Sequence, residues 1–160
     1  MSDYSQLAER TLCTGAAAAA ATTLAASICG TLEEGNAIAP INAVSHIAWA
    51  DKAARQTDAS WQYTAVGLAL NAAAVTSWAG VYEVFCGRAA DRKDISGALL
   101  GGALVSAAAY VTDYHVVPRR LTPGFEKRLS NRSLFGIYTV LALSLAAGSL
   151  VQPGRLLPKA

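Results

Sequence analysis

His46, Asp113 and His115 are the side chains of this chain best suited to hold a metal. Imidazole and carboxylate are ordinary ligands of a transition ion such as zinc, and Cys29 could add a thiolate. The spacing constrains that chemistry. Asp113 and His115 stand two residues apart, so a regular helix would aim them roughly 200° apart. They face one point only where the helix loosens, and Pro118 just downstream favours such loosening. A plainer assignment pairs Asp113 with Arg119 or Arg120 and leaves the histidines to backbone carbonyls. Glu83 is a second candidate. An acid in an apolar run is costly unless it is paired or carries a proton. It lies on a stripe of small residues (Ala65, Ala69, Ala72, Thr76, Ala79), so it is expected to face other helices. There it is either a proton-carrying carboxylate or the partner of Arg88. Asn71, in mid-run, is expected to hydrogen-bond across helices.

A third group is basic. Arg119, Arg120, Lys127, Arg128 and Arg132 crowd the segment Pro118–Arg132. Leu121, Phe125 and Leu129 recur among them at four-residue steps. That pattern predicts a short amphipathic helix, opened by Thr122 and Pro123, lying on anionic lipid head groups. No Walker loop, Gly-x-Ser-x-Gly, His-Glu-x-x-His or Cys-x-x-Cys occurs in the chain. No catalytic residue is assigned, and enzymatic activity is left open, with the balance leaning against it.

The elements that must position these residues show in where charge is missing. Thr11–Leu32, Ala59–Tyr82, Ile95–Thr112 and Ser133–Gly154 contain no Asp, Glu, Lys or Arg, and each is 18 residues or longer. About 20 helical residues cross the ~30 Å hydrocarbon core of a bilayer. Backbone amides find no water partner there, so a helix is the default. The expected fold is all-α: an integral membrane four-helix bundle, one transmembrane domain over residues 1–160, with spans near 11–32, 60–86, 95–117 and 133–151. The first run is the weakest, being mostly alanine. Arg10 ahead of it and Ala25, Ala26 and Ser27 within it also suit a signal peptide, but the run continues to Leu32, past a usual apolar core.

Composition agrees. The chain is 53% hydrophobic and 15% charged, against about 25% charged in soluble domains. Such apolar content excludes disorder. A scattered net charge of +2 gives no phosphate-binding face, so no nucleic-acid partner is expected. Three cysteines do not make a disulfide scaffold.

Four spans place both termini on one side. The other side carries loop one, with Lys52 and Arg55, and loop three, with its five basic residues. The terminus side carries Arg10, Arg88, Arg92, Lys93, Arg155 and Lys159, so the count barely favours loops one and three as cytoplasmic. His46, Asp113 and His115 fall on the loop side and Glu83 on the terminus side. Trp49, Trp61, Tyr63, Tyr110, Tyr114, Phe135 and Tyr138 also fall on the loop side, as an interfacial aromatic belt would. Between the first two spans, Ala37–Ala50 is apolar but too short to cross. Pro40 can start a helix with Ile41, Val44, Ile47 and Ala48 on one face and Asn42, Ser45, His46 and Trp49 on another. This predicts a short amphipathic helix in the interface or folded back on the bundle.

Small residues at four-residue steps, such as Gly97/Gly101 and Ser144/Gly148, predict tight packing, more within the bundle than between copies. The expected setting is a bacterial inner membrane and the expected role structural or accessory. The alternatives are a metal- or proton-linked transporter and a lipid-active membrane enzyme, either using the His46, Asp113 and His115 cluster. Expected partners are the bilayer, its anionic head groups, and a membrane protein or second copy.

Overall fold

The computed structural model describes residues 3–153. Arg155 and Lys159, counted above among the terminus-side cations, lie outside the described residues. The chain forms α1 (Asp3–Glu34), α2 (Ala39–Val44), α3 (His46–Trp49), α4 (Val66–Phe85), α5 (Gly87–Asp91), α6 (Ile95–Val111) and α7 (Asn131–Leu150). Wider π turns lead into α4 (Trp61–Ala65) and out of α6 (Thr112–Val116). Among the described residues there is no strand.

Four helices are long and apolar enough to cross a membrane: Tyr4–Glu34, Trp61–Phe85, Ile95–Val116 and Asn131–Leu150. They coincide with the charge-free runs, with one difference that matters. The first helix begins at Asp3, so Arg10 stands inside it rather than in a tail. The packing reverses the size order of a water-soluble bundle. Leu12, Leu24, Leu32, Phe85, Leu100, Leu104 and Leu143 are all more than half exposed. Alanine supplies much of the interior, at Ala18, Ala26, Ala79, Ala98, Ala109 and Ala146. Large side chains outside and small ones inside let helices approach closely and leave much of the outer surface apolar.

α1 is the central staple. It packs against both α4 and α7, while α6 packs mainly on α7 and only lightly on α4. The buried line on α1 runs Arg10, Thr14, Ala18, Thr22, Ala26 and Gly30, one residue per four. The light α4–α6 seam closes at the end near the α4–α6 turn, where the Tyr82 hydroxyl donates to the Ala98 carbonyl (3.1 Å). At the other end of the bundle loops one and three cover it.

Both loops depart from expectation. The single amphipathic helix of loop one is instead two short helices, and of its two expected placements the one folded back on the bundle is adopted. Every residue from Ala39 to His46 is buried, on both faces. The reason is Asn42, which the amphipathic pattern put on a polar face. Its amide nitrogen donates to the Gln56 (3.1 Å) and Asp58 (3.0 Å) carbonyls, and its oxygen accepts from Thr64 Oγ1 (2.6 Å). A polar residue satisfied this way stays inside. Loop three forms no α-helix either. It makes two single 3-10 turns, Arg119–Leu121 and Phe125–Lys127, separated by Gly124 at φ 90°. Phe125 and Leu129 are buried, and Leu121 is exposed. The four-residue spacing is thus broken at Pro123-Gly124. Glu33, ending α1, accepts from the Ser130 backbone N–H (2.8 Å) and hydroxyl (2.6 Å) and so caps α7.

Close approach of α6 and α7 is testable. A Cβ at Gly102 would overlap the Ala142 carbonyl oxygen, whereas one at Gly136 would meet nothing within 4 Å. Gly102→Ala should lower stability by about 1–3 kcal/mol through overpacking. Gly136→Ala should be neutral or gain up to about 1 kcal/mol from helix propensity. Thermal unfolding of both variants in detergent reads the difference; equal effects would contradict the packing.

Candidate functional site

Polar side chains gather at the two ends of the bundle. At the terminus end, Arg10 is buried among three helices. Its Nε lies 3.0 Å from Glu83 Oε2 on α4, and its Nη2 lies 3.2 Å from Asp91 Oδ1 on α5. The same guanidinium donates to the Ser149 hydroxyl (3.0 Å) and the Pro153 carbonyl (2.7 Å) at the end of α7. Glu83 Oε1 accepts from the Thr14 hydroxyl (2.8 Å), which in turn accepts from Gln152 Nε2 (2.7 Å). Glu83 is fully buried, as its stripe predicts, but its partner is Arg10 and not Arg88, which is exposed. In sequence Arg10 reads as a flanking cation because it precedes the charge-free run. Only the helix beginning at Asp3, eight residues before Thr11, puts it in line with Thr14.

At the loop end, the π turn after α6 aims Asp113 inward. Its Oδ2 accepts from the Tyr138 hydroxyl on α7 (2.6 Å). The expected partners Arg119 and Arg120 are exposed and pair with no acid among the described residues. Tyr138 belongs to an aromatic cluster with Tyr110 and Tyr114, with ring centres 5.1–6.0 Å apart. The predicted aromatic belt therefore divides. Trp61 and Phe135 are exposed, while these three tyrosines turn toward one another. Asp113 lines a cavity of about 80 Å³ with Tyr138, Asn71 and Thr22, under Val44 and Ile47 of loop one and Leu121 and Pro123 of loop three. Asn71 does bond across helices, to Thr22 (3.4 Å) and Thr23 (3.1 Å) of α1.

The histidines are not brought to this cavity. His46 is buried, its Nδ1 3.0 Å from the Ala43 carbonyl and its Nε2 without a hydrogen-bond partner among the described residues. Loop three lies directly over it: a Cβ at Gly124 would sit 2.7 Å from His46 Nδ1 and 2.5 Å from the Ala43 oxygen. His115 is exposed and edges onto Tyr110, with ring centres 5.9 Å apart. Loosening before Pro118 thus occurs, yet Asp113 and His115 still diverge. Among the described residues no three His, Cys, Asp or Glu side chains converge as metal ligands. Cys13, Cys29 and Cys86 are free thiols.

The basic loop is partly spent inside the molecule. Lys127 pairs with Asp51 of loop one (3.1 Å) and Arg128 with Glu34 at the end of α1 (3.0 Å). Lys127 holds the exposed Asp51 carboxyl below the usual carboxylate range. That tie is present above the ordinary carboxylate pKa of about 4 and is lost as pH falls through the lowered value. Arg119, Arg120 and Arg132 remain exposed.

The Arg10 network makes a sharp prediction. Arg10→Met strands buried carboxylate and should cost about 3–5 kcal/mol. Adding Glu83→Gln should recover a large part of that loss. Denaturant unfolding in micelles checks both, and a double variant no better than the single one would contradict the pairing. No family model, no curated protein and no solved structure matches this chain.

Proposed function

We propose that the chain is an integral, multi-pass membrane protein of structural or accessory type, which holds anionic lipid head groups at its loop-three end. The observation that carries this reading is the surface left after internal pairing. Arg119, Arg120 and Arg132 are exposed with no ion partner among the described residues, and exposed Val116, Leu121 and Phe135 share their segment of chain. Cations beside apolar side chains suit the boundary between head groups and acyl chains. Four spans put both termini on one side and loops one and three on the cytoplasmic side. Helical spans suit a bacterial inner membrane, since outer-membrane spans are barrels.

Two features weigh against the alternatives. Between the two polar ends lie Ala18, Val75, Ala79, Leu141 and Leu145, a dry layer that gives a transported solute no polar path. Neither histidine lines the cavity, which deprives a metal-dependent transporter or a lipid-active enzyme of its expected cluster.

Native mass spectrometry after extraction from mixed anionic and zwitterionic lipid tests the proposal. The wild type should retain anionic phospholipid preferentially. Replacing Arg119, Arg120 and Arg132 together by Gln should remove about 1 kcal/mol per cation, roughly a hundredfold in preference overall. Replacing Lys127 and Arg128, already paired internally, should change it far less. Equal retention by wild type and triple variant would overturn the proposal.

A further inference from the structure

The two ends of the bundle treat buried acid differently. At the terminus end a guanidinium sits between Glu83 and Asp91. At the loop end Asp113 meets a phenol: Tyr138 donates to Oδ2, and among the described residues no cation pairs with the carboxylate and no hydrogen bond reaches Oδ1. Loop three adds another acid. This is Glu126, whose Oε1 accepts from the Thr122 hydroxyl (2.5 Å) and whose buried Oε2 has no hydrogen-bond partner among the described residues. No ion pair among the described residues involves either acid.

The cavity beside Asp113 is also bordered by an amide. Asn71 is 8% exposed and lines it. The Thr22 hydroxyl donates to the Ala18 carbonyl (2.9 Å), so it must accept from Asn71 Nδ2. This fixes the orientation of the amide. Nδ2 faces the threonines, and among the described residues no hydrogen bond reaches Oδ1. A carboxylate and an amide side chain thus border a space with no positive charge in its lining. By the same measure a water needs about 10–15 Å³, so about 80 Å³ holds an ion with a few waters. Drug-sized ligands need roughly 300 Å³ or more.

We propose that this cavity binds one monovalent cation, a proton or an alkali-metal ion, on the Asp113 carboxylate. The Asn71 oxygen and enclosed water complete its coordination, and the Tyr138 hydroxyl orients the carboxylate. Access is from the loop side, because Val75 and Leu141 lead down into the dry layer. Titratable groups around Asp113 are Tyr138 on α7, Glu126 on loop three, and Tyr110, Tyr114 and His115 on its own element. α1, α4 and loop one present no titratable side chain to the cavity. This site shares Leu121 with the proposed lipid-binding surface but none of its arginines.

Infrared titration of the full chain in lipid tests it, followed through the protonated-carboxyl band between about pH 4 and about pH 9. Runs in choline, sodium and potassium chloride are matched in ionic strength. The wild type should show a titrating band that Asp113→Asn loses and Glu126→Gln keeps. A midpoint moved by about one pH unit in sodium or potassium, tenfold in apparent proton affinity, assigns the site to an alkali ion. An unmoved midpoint assigns it to the proton. A band identical in wild type and Asp113→Asn, or lost only in Glu126→Gln, overturns the proposal. Should Asp113→Asn fail to fold, Asn71→Ala and Tyr138→Phe keep the carboxylate. Each should move the midpoint by about threefold or more in proton affinity, and no movement in either overturns the proposal.

Discussion

A charge that cannot reach water must find its opposite, and Arg10 is where this chain meets that requirement. Its guanidinium is held by acids from α4 and α5 and by oxygens at the end of α7. Five donors in a planar fork can serve several acceptors at once, which a lysine could not. The consequence is architectural. The start of α1, the end of α4, the α4–α6 turn and the end of α7 are joined at one point. Helices whose outer faces are as apolar as lipid gain little from the hydrophobic effect when they associate. A polar knot at one end then fixes their register, and the small residues of α1 carry the contact onward from Thr14 through Ala18 and Thr22 to Ala26.

That register decides what the other end looks like. α6 leans on α7, with the Ser106 hydroxyl donating to the Tyr138 carbonyl (2.6 Å), and touches α4 mainly near their shared turn. Away from that turn the seam opens into the cavity below Asp113. Loops one and three close over it. Their cohesion is chiefly apolar: Ile41 and Val44 from one loop meet Phe125 and Leu129 from the other, with Leu134 and Ile137 beneath. The ion pairs Lys127–Asp51 and Arg128–Glu34 are partly exposed, and pairs of that kind contribute little. They set which way the loop faces more than how firmly it stays.

The parts of this structure legible in sequence are those governed by local rules. Four charge-free runs become four long helices, because length and apolarity are properties of the run itself. Glu83 turns inward because its stripe of small residues does. Asn71 bonds to the next helix because a mid-run amide has nothing else to bond to. What was illegible depends on distant partners. Arg10 looks like a tail residue until the helix is seen to start at Asp3. Asn42 looks like the polar face of an amphipathic helix until three oxygens from residues 14 to 22 positions away close around it. His46 looks like a ligand until Gly124 is found lying on it, with a positive φ that no periodicity announces. Each is a contact across many residues, where spacing along the chain carries no information.

The contrast between the two ends follows from one difference in donor type. An arginine neutralises permanently, since its guanidinium does not give up its proton. An end built on it is fixed. A tyrosine hydroxyl can support a carboxylate by a hydrogen bond without cancelling its charge. An end built on Asp113 and Tyr138 therefore leaves a site whose charge state is set from outside the chain. The cavity, Asn71 in its lining and the second acid at Glu126 all lie at that end. The dry layer of Ala18, Val75, Ala79, Leu141 and Leu145 separates it from the arginine end. A chain needing only mechanical cohesion could have repeated the arginine solution at both ends. The end whose buried acid has no ion pair among the described residues is also the end covered by loops one and three.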